Sequence, residues 1–62
     1  MKVDRFDVET GRRMAVLTES DFRHILVWAE AQVDPWIKHL QNGGDYTDYR
    51  SFYRLHPEED AQ

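Results

Sequence analysis

Through the middle of the chain Phe22, Leu26, Ala29, Val33, Trp36 and Leu40 recur at spacings of 4, 3, 4, 3 and 4 residues. That period places them on one face of an α-helix, which Ile25 and Ile37 widen. Thr18-Glu19-Ser20-Asp21 marks the start. A threonine hydroxyl accepts a hydrogen bond from the first turn, and carboxylates there favour the positive end of the helix dipole. Asn42-Gly43-Gly44 marks the end, since asparagine or glycine readily takes the left-handed conformation just past a helix. Pro35 interrupts the run, because it lacks an N–H and crowds the carbonyl four residues back. Either one helix kinks there, or Asp34 caps a second helix with Pro35 at its first position. The stripe keeps its phase through Pro35, so the pattern predicts one long, kinked, near-continuous helix.

Before this helix, Val3, Phe6 and Val8 precede Glu9-Thr10-Gly11-Arg12, and residues 14–17 form a short apolar run. Gly11 supplies the positive φ of a tight turn, so residues 3–8 and 13–17 are predicted to form a β-hairpin. Two strands alone are marginal in water, and the hairpin must lie on the helix. After the glycines, Tyr46, Tyr49 and Tyr53 fall at i, i+3 and i+7. With Asp45 or Thr47 as a cap, this spacing predicts a short third helix ending before Pro57. The expected architecture is a single α+β domain over residues 1–57: an N-terminal β-hairpin packed on a long kinked helix, closed by a short C-terminal aromatic helix. Its expected core is Phe6, Val8, Met14, Val16, Phe22, Ile25, Leu26, Ala29, Val33, Trp36 and Leu40. Residues 58–62 read as a disordered acidic tail.

Length changes the weight of this picture. A chain of 62 residues buries only about 60% of the surface it exposes when unfolded, so a partner or a second copy would add needed stability. No cysteine is present, which removes disulfides and thiolate metal sites and fits a reducing compartment. The opening M-K-V-D-R-F-D-V carries charges at Lys2, Asp4, Arg5 and Asp7 and no apolar run, so it does not read as a signal peptide. No later run reaches the roughly 18 apolar residues of a membrane span. A soluble, cytoplasmic protein with no membrane association is expected.

The formal net charge is −4, with the acidic excess concentrated after residue 44. An acidic chain is a poor stand-alone binder of nucleic acid, whose affinity rests on neutralised phosphates; it suits a basic protein surface better. His24, His39 and His56 lack the i, i+3 or i+4 partners of a helical metal site. The carboxylate pairs, Glu30 with Asp34 among them, need a desolvated cleft to do acid–base work, and none is expected in so small a domain. No cofactor, metal or enzymatic activity is expected.

Surface chemistry is more informative. Trp28 lies off the helical stripe beside Ile25, and tryptophan, tyrosine and arginine dominate binding hot spots. Together with Tyr46, Tyr49, Arg50, Phe52, Tyr53 and Arg54 it forms the candidate partner-binding set. On a third helix the tyrosines would close the core, leaving Phe52 and an Arg50/Arg54 row at its edge. Arg12 and Arg13 at the hairpin turn would, in a dimer, gather four guanidiniums on one surface, the one phosphate-binding arrangement available.

The run G-R-R-M-A-V-L-T-E-S-D-F-R-H-I-L, residues 11–26, resembles the segment of Phd/YefM-type small antitoxins in which a glycine turn leads to a strand and then to a helix opening with acidic residues and an aromatic. It covers about a quarter of the chain, and its motif is general: turn, strand, capped helix. The chain departs from the pattern in opening directly on a strand and in placing two glycines where a long helix would continue. The resemblance implies a small binding module, in those families a dimer that contacts DNA and neutralises a toxin. The leading expectation is a small non-enzymatic protein-binding module that inhibits or modulates a larger partner, of the phage or mobile-element type. The alternatives are an antitoxin-like dimeric regulator contacting DNA through Arg12 and Arg13, or a structural assembly subunit.

Overall fold

The computed structural model describes residues 1–57; the expected acidic tail, 58–62, lies outside them. The elements run β1 (Lys2–Asp7), β2 (Arg13–Thr18), α1 (Glu19–Trp28), α2 (Val33–Gln41), β3 (Tyr46–Thr47) and β4 (Ser51–Leu55). The strands form one antiparallel sheet in the order β2-β1-β4-β3. The α+β class is as expected, but the expected long kinked helix is two helices and the expected C-terminal aromatic helix is a hairpin. No helix among the described residues is long and apolar enough to cross a membrane.

The first hairpin forms for the expected reason. Gly11 has φ +73°, its N–H donates to the Asp7 carbonyl, and the Asp7 N–H donates to the Arg12 carbonyl. The Asp7 carboxylate accepts from the N–H groups of Glu9 and Thr10. Arg5 pairs with Ala15 but Phe6 pairs with Arg13, so Met14 is the extra residue of a β-bulge.

Thr18 caps α1 as its sequence indicates, its hydroxyl accepting from the Asp21 N–H at 3.1 Å. The helix then stops at Trp28. The Ala31 N–H donates to the Leu26 carbonyl and the Glu30 N–H to the Val27 carbonyl, the paired bonds of a Schellman turn, with Glu30 in the left-handed region at φ 58°. The break explains Pro35. Inside a continuous helix it would forfeit a bond and crowd Ala31, at a cost of about 3 kcal/mol; at the third position of α2 it needs no intrahelical acceptor. The stripe stays in phase because both helices bury against the same sheet.

The tyrosine spacing is also explained. Tyr46 lies directly across from Tyr53, and Thr47 across from Phe52. Residues equidistant from a tight turn pair across a hairpin, so i and i+7 meet here without a helix, and Tyr49 sits at the tip. The Asp48 carboxylate accepts from the Arg50 and Ser51 N–H groups at 3.2 and 3.1 Å, closing an Asx-type turn.

Residues directly opposite in an antiparallel ladder share a face. Val3 with Leu17 and Leu55, and Tyr53 with Tyr46, belong to one face. Phe22 packs on both tyrosines and Trp36 on Tyr46, so this face carries the helices. The core is Val3, Phe22, Leu26, Ile37, Leu40, Tyr46 and Tyr53. Of the expected core, Phe22, Leu26 and Leu40 are buried, while Ile25, Val33 and Trp36 pack at its margin. Met14, Val16, Val8 and Ala29 are exposed: Met14 is bulged, Val16 points to the other face, Val8 lies past the end of β1, and Ala29 lies at the helix cap. Phe6 is half-buried on that other face, stacked on Phe52 with ring centroids 4.8 Å apart.

Candidate protein-docking groove

The C-terminal end of α1 and the β3–β4 turn approach one another and leave a groove lined by His24, Ile25, Trp28, Ala29, Asp48 and Tyr49. Its lining is mostly apolar, with Ile25, Ala29 and the rings of Trp28 and Tyr49, and His24 and Asp48 supply its polar groups. Trp28 is 88% exposed and Tyr49 92% exposed. Both positions follow from local structure. Trp28 is the last residue of α1 and sits off the buried Phe22–Leu26 row, while Tyr49 is at the apex of a hairpin whose ladder ends at Asp48 and Ser51. A second hollow, lined by Asp7, Val8, Glu9, Tyr49 and Arg50, adjoins the first through Tyr49. The Val8 N–H donates to the Arg50 carbonyl at 3.0 Å, which ties the two hairpin ends together and fixes Asp7 and Glu9 beside Tyr49.

The seven expected partner-binding residues do not form one surface. Tyr46 and Tyr53 are core side chains, and the Tyr53 hydroxyl donates to Asp48 Oδ2 at 3.3 Å. Burial, with the Asp48 carboxylate close by, pushes the Tyr53 phenol up from its usual range. Trp28 and Tyr49 line the same groove, with Arg50 exposed beside Tyr49. Phe52 and Arg54 lie on the sheet face that no helix among the described residues covers, separated by two along a strand rather than by a helical turn. There the Arg54 guanidinium lies 5.6 Å from the Phe6 ring centroid and 5.5 Å from that of Phe52. It also binds both oxygens of Asp45, from Nε and Nη2 at 3.0 Å each, and this pairing holds the Asp45 carboxyl below the usual carboxylate range. The Arg50/Arg54 row expected on a helix does not exist.

Arg12 is exposed in the first turn, while Arg13 opens β2 with Nη1 3.6 Å from Asp4 Oδ2. Asp4 is buried although it sits on the helix-free face, and its other oxygen lies 2.7 Å from His56 Nδ1. Sequence reasoning missed this trio, whose members are nine and 52 residues from Asp4 in sequence and meet only through the sheet. It missed Asp48 as well, although an aspartate two and three residues before backbone donors is a turn signal. Among the described residues no group of three or more histidines, cysteines, aspartates and glutamates is arranged to hold a metal ion.

Neither family models, nor curated proteins, nor solved structures provide a match to this chain.

Proposed function

We propose that the chain is a small non-enzymatic protein-binding module that inhibits or modulates a larger partner in the cytoplasm, and that it docks through the groove between Trp28 and Tyr49. The exposure of these two rings carries the reading. A domain of 62 residues has few large apolar side chains for its core, and each one left in water forgoes about 1.5–3 kcal/mol of burial. Two such rings lining one groove with Ile25 and Ala29 have the composition of a hot spot. The charge around them specifies the complement. Asp48 rims the groove, and in the adjoining hollow Asp7 and Glu9 outnumber Arg50, so the fitting segment offers an apolar side chain flanked by lysine or arginine.

The test immobilises the intact chain, identifies the protein it retains from a lysate, and titrates the purified pair by calorimetry. Trp28→Ala and Tyr49→Ala are each expected to weaken binding by at least about tenfold. Neither ring is packed in the core, so melting temperatures should stay near that of the parent. Full affinity in both variants would overturn the assignment.

A further inference from the structure

We infer that β2 is a self-pairing edge, and that two copies of the chain join through it in antiparallel register centred on Val16 to make one continuous eight-stranded sheet. Among the described residues β2 pairs with β1 alone and β3 occupies the opposite edge. The free side can be identified from the ladder. The Asp7 N–H bonds toward β2 and the Lys2 carbonyl toward the His56 N–H beyond β4. Backbone groups alternate along a strand, so Val3 and Arg5 bond to Leu17 and Ala15, and the N–H and C=O of Val16 point outward.

An antiparallel two-fold pairing about Val16 therefore lets Val16 exchange both backbone bonds with its own copy, and sets Met14 opposite Thr18. Val16 is 45% and Met14 61% exposed; pairing brings Val16 against its own copy and covers part of Met14 with Thr18 of the second copy.

Charge selects the same arrangement. β2 is preceded by Arg12 and opens on Arg13, and it is followed by Glu19 and Asp21. In this register Arg13, already on Asp4, and Glu19, already on Arg23, meet at each end, while Arg12 lies beside Asp21 of the second copy, and neither of these two has an ion-pair partner among the described residues. A parallel pairing would instead place like charges together. The edge carries the Met14 bulge and the Arg13 charge at one end, but beyond them residues 14–18 hold no proline and no charged side chain. A second copy is thus the occupant whose charge order matches.

The test uses sedimentation velocity on the intact chain across a concentration series. Wild type is expected to dimerise with a Kd tighter than about 1 mM. Val16→Lys places two ammonium groups directly opposite one another and is expected to weaken the dimer by about tenfold or more, with the circular dichroism spectrum retained.

Arg12→Glu and Asp21→Lys supply the decisive pair, since both side chains are exposed and β2, about 20 Å long, separates them within one chain. Each variant alone opposes like charges twice and is expected to weaken self-association. Mixed, the two variants oppose unlike charges at both ends and should form a heterodimer near wild-type strength. A wild-type monomer at all concentrations, a dimer indifferent to Val16→Lys, or a mixture that fails to heterodimerise would each overturn the inference. None of these outcomes touches the Trp28–Tyr49 groove, whose residues lie on α1 and the β3–β4 turn.

Discussion

Asp4 and Asp45 show how one side-chain type performs two tasks on one sheet face. Asp4 is buried, and Arg13 and His56 compensate the loss of water around it. Asp45 is partly exposed and grips Arg54 in a bidentate pair, which orients the guanidinium over Phe6 and Phe52. Because the folded state holds the Asp45 carboxyl below its unfolded value, its contribution is fully present above the ordinary carboxylate range, near pH 4. That contribution disappears as the pH falls through the lower, folded value. Asp45→Asn is therefore expected to give a chain less stable than the parent at pH 7, with the gap narrowing as the pH is lowered toward 2. Urea denaturation at the two pH values measures the difference; an equal gap at both would show that the pair contributes nothing that titrates.

The two helices end in the same turn with different residues. After α2, Gly43 takes φ +94° while the Gly44 N–H bonds to the His39 carbonyl and the Gly43 N–H to the Leu40 carbonyl. After α1 the same pair of bonds forms with Glu30 in the left-handed position, where a Cβ costs roughly 1–2 kcal/mol. Glu30→Gly should therefore stabilise the chain by about 1 kcal/mol, raising the melting temperature by roughly 4–8 °C for a domain this size. A melting temperature unchanged or lowered would mean that the Glu30 side chain repays its strain elsewhere. This turn also marks where the sequence was ambiguous. The Phe22-to-Leu40 stripe is shared by two helices packed on one sheet, so periodicity alone did not reveal the break, and glutamate gave no stop signal of the kind Gly43 gave. Thr18 and Gly11 were legible because a cap and a positive-φ turn act within a few residues. Tyr46 and Tyr53 were not, since an i, i+7 spacing serves both a helix and a tight hairpin. For the groove, the position of Trp28 off the stripe was a usable signal, whereas the exposure of Tyr49 depends on the turn at Asp48.

At the scale of the molecule, the order β2-β1-β4-β3 puts the first and last strands side by side in the middle of the sheet. Val3 pairs with Leu55 and Asp7 with Ser51, so the central ladder closes nearly the whole length of the chain. Tyr46 and Tyr53, both from the C-terminal hairpin, wall the pocket that holds Phe22. A segment ending at Gly44 would keep the first hairpin and both helices. It would lose two of the seven core side chains and leave β1 with an unpaired edge on the side that now meets β4. Burial is already marginal at this chain length, and an isolated hairpin beneath two short helices does not replace it. Residues 1–44 are therefore expected to show no cooperative thermal transition by circular dichroism, while residues 1–57 melt in a single one. Cooperative melting of the shorter segment would show that the hairpin and helices form a unit without the C-terminal strands. The groove would then be a junction between a folded body and an added hairpin, because its Trp28 wall belongs to the former and its Tyr49 wall to the latter.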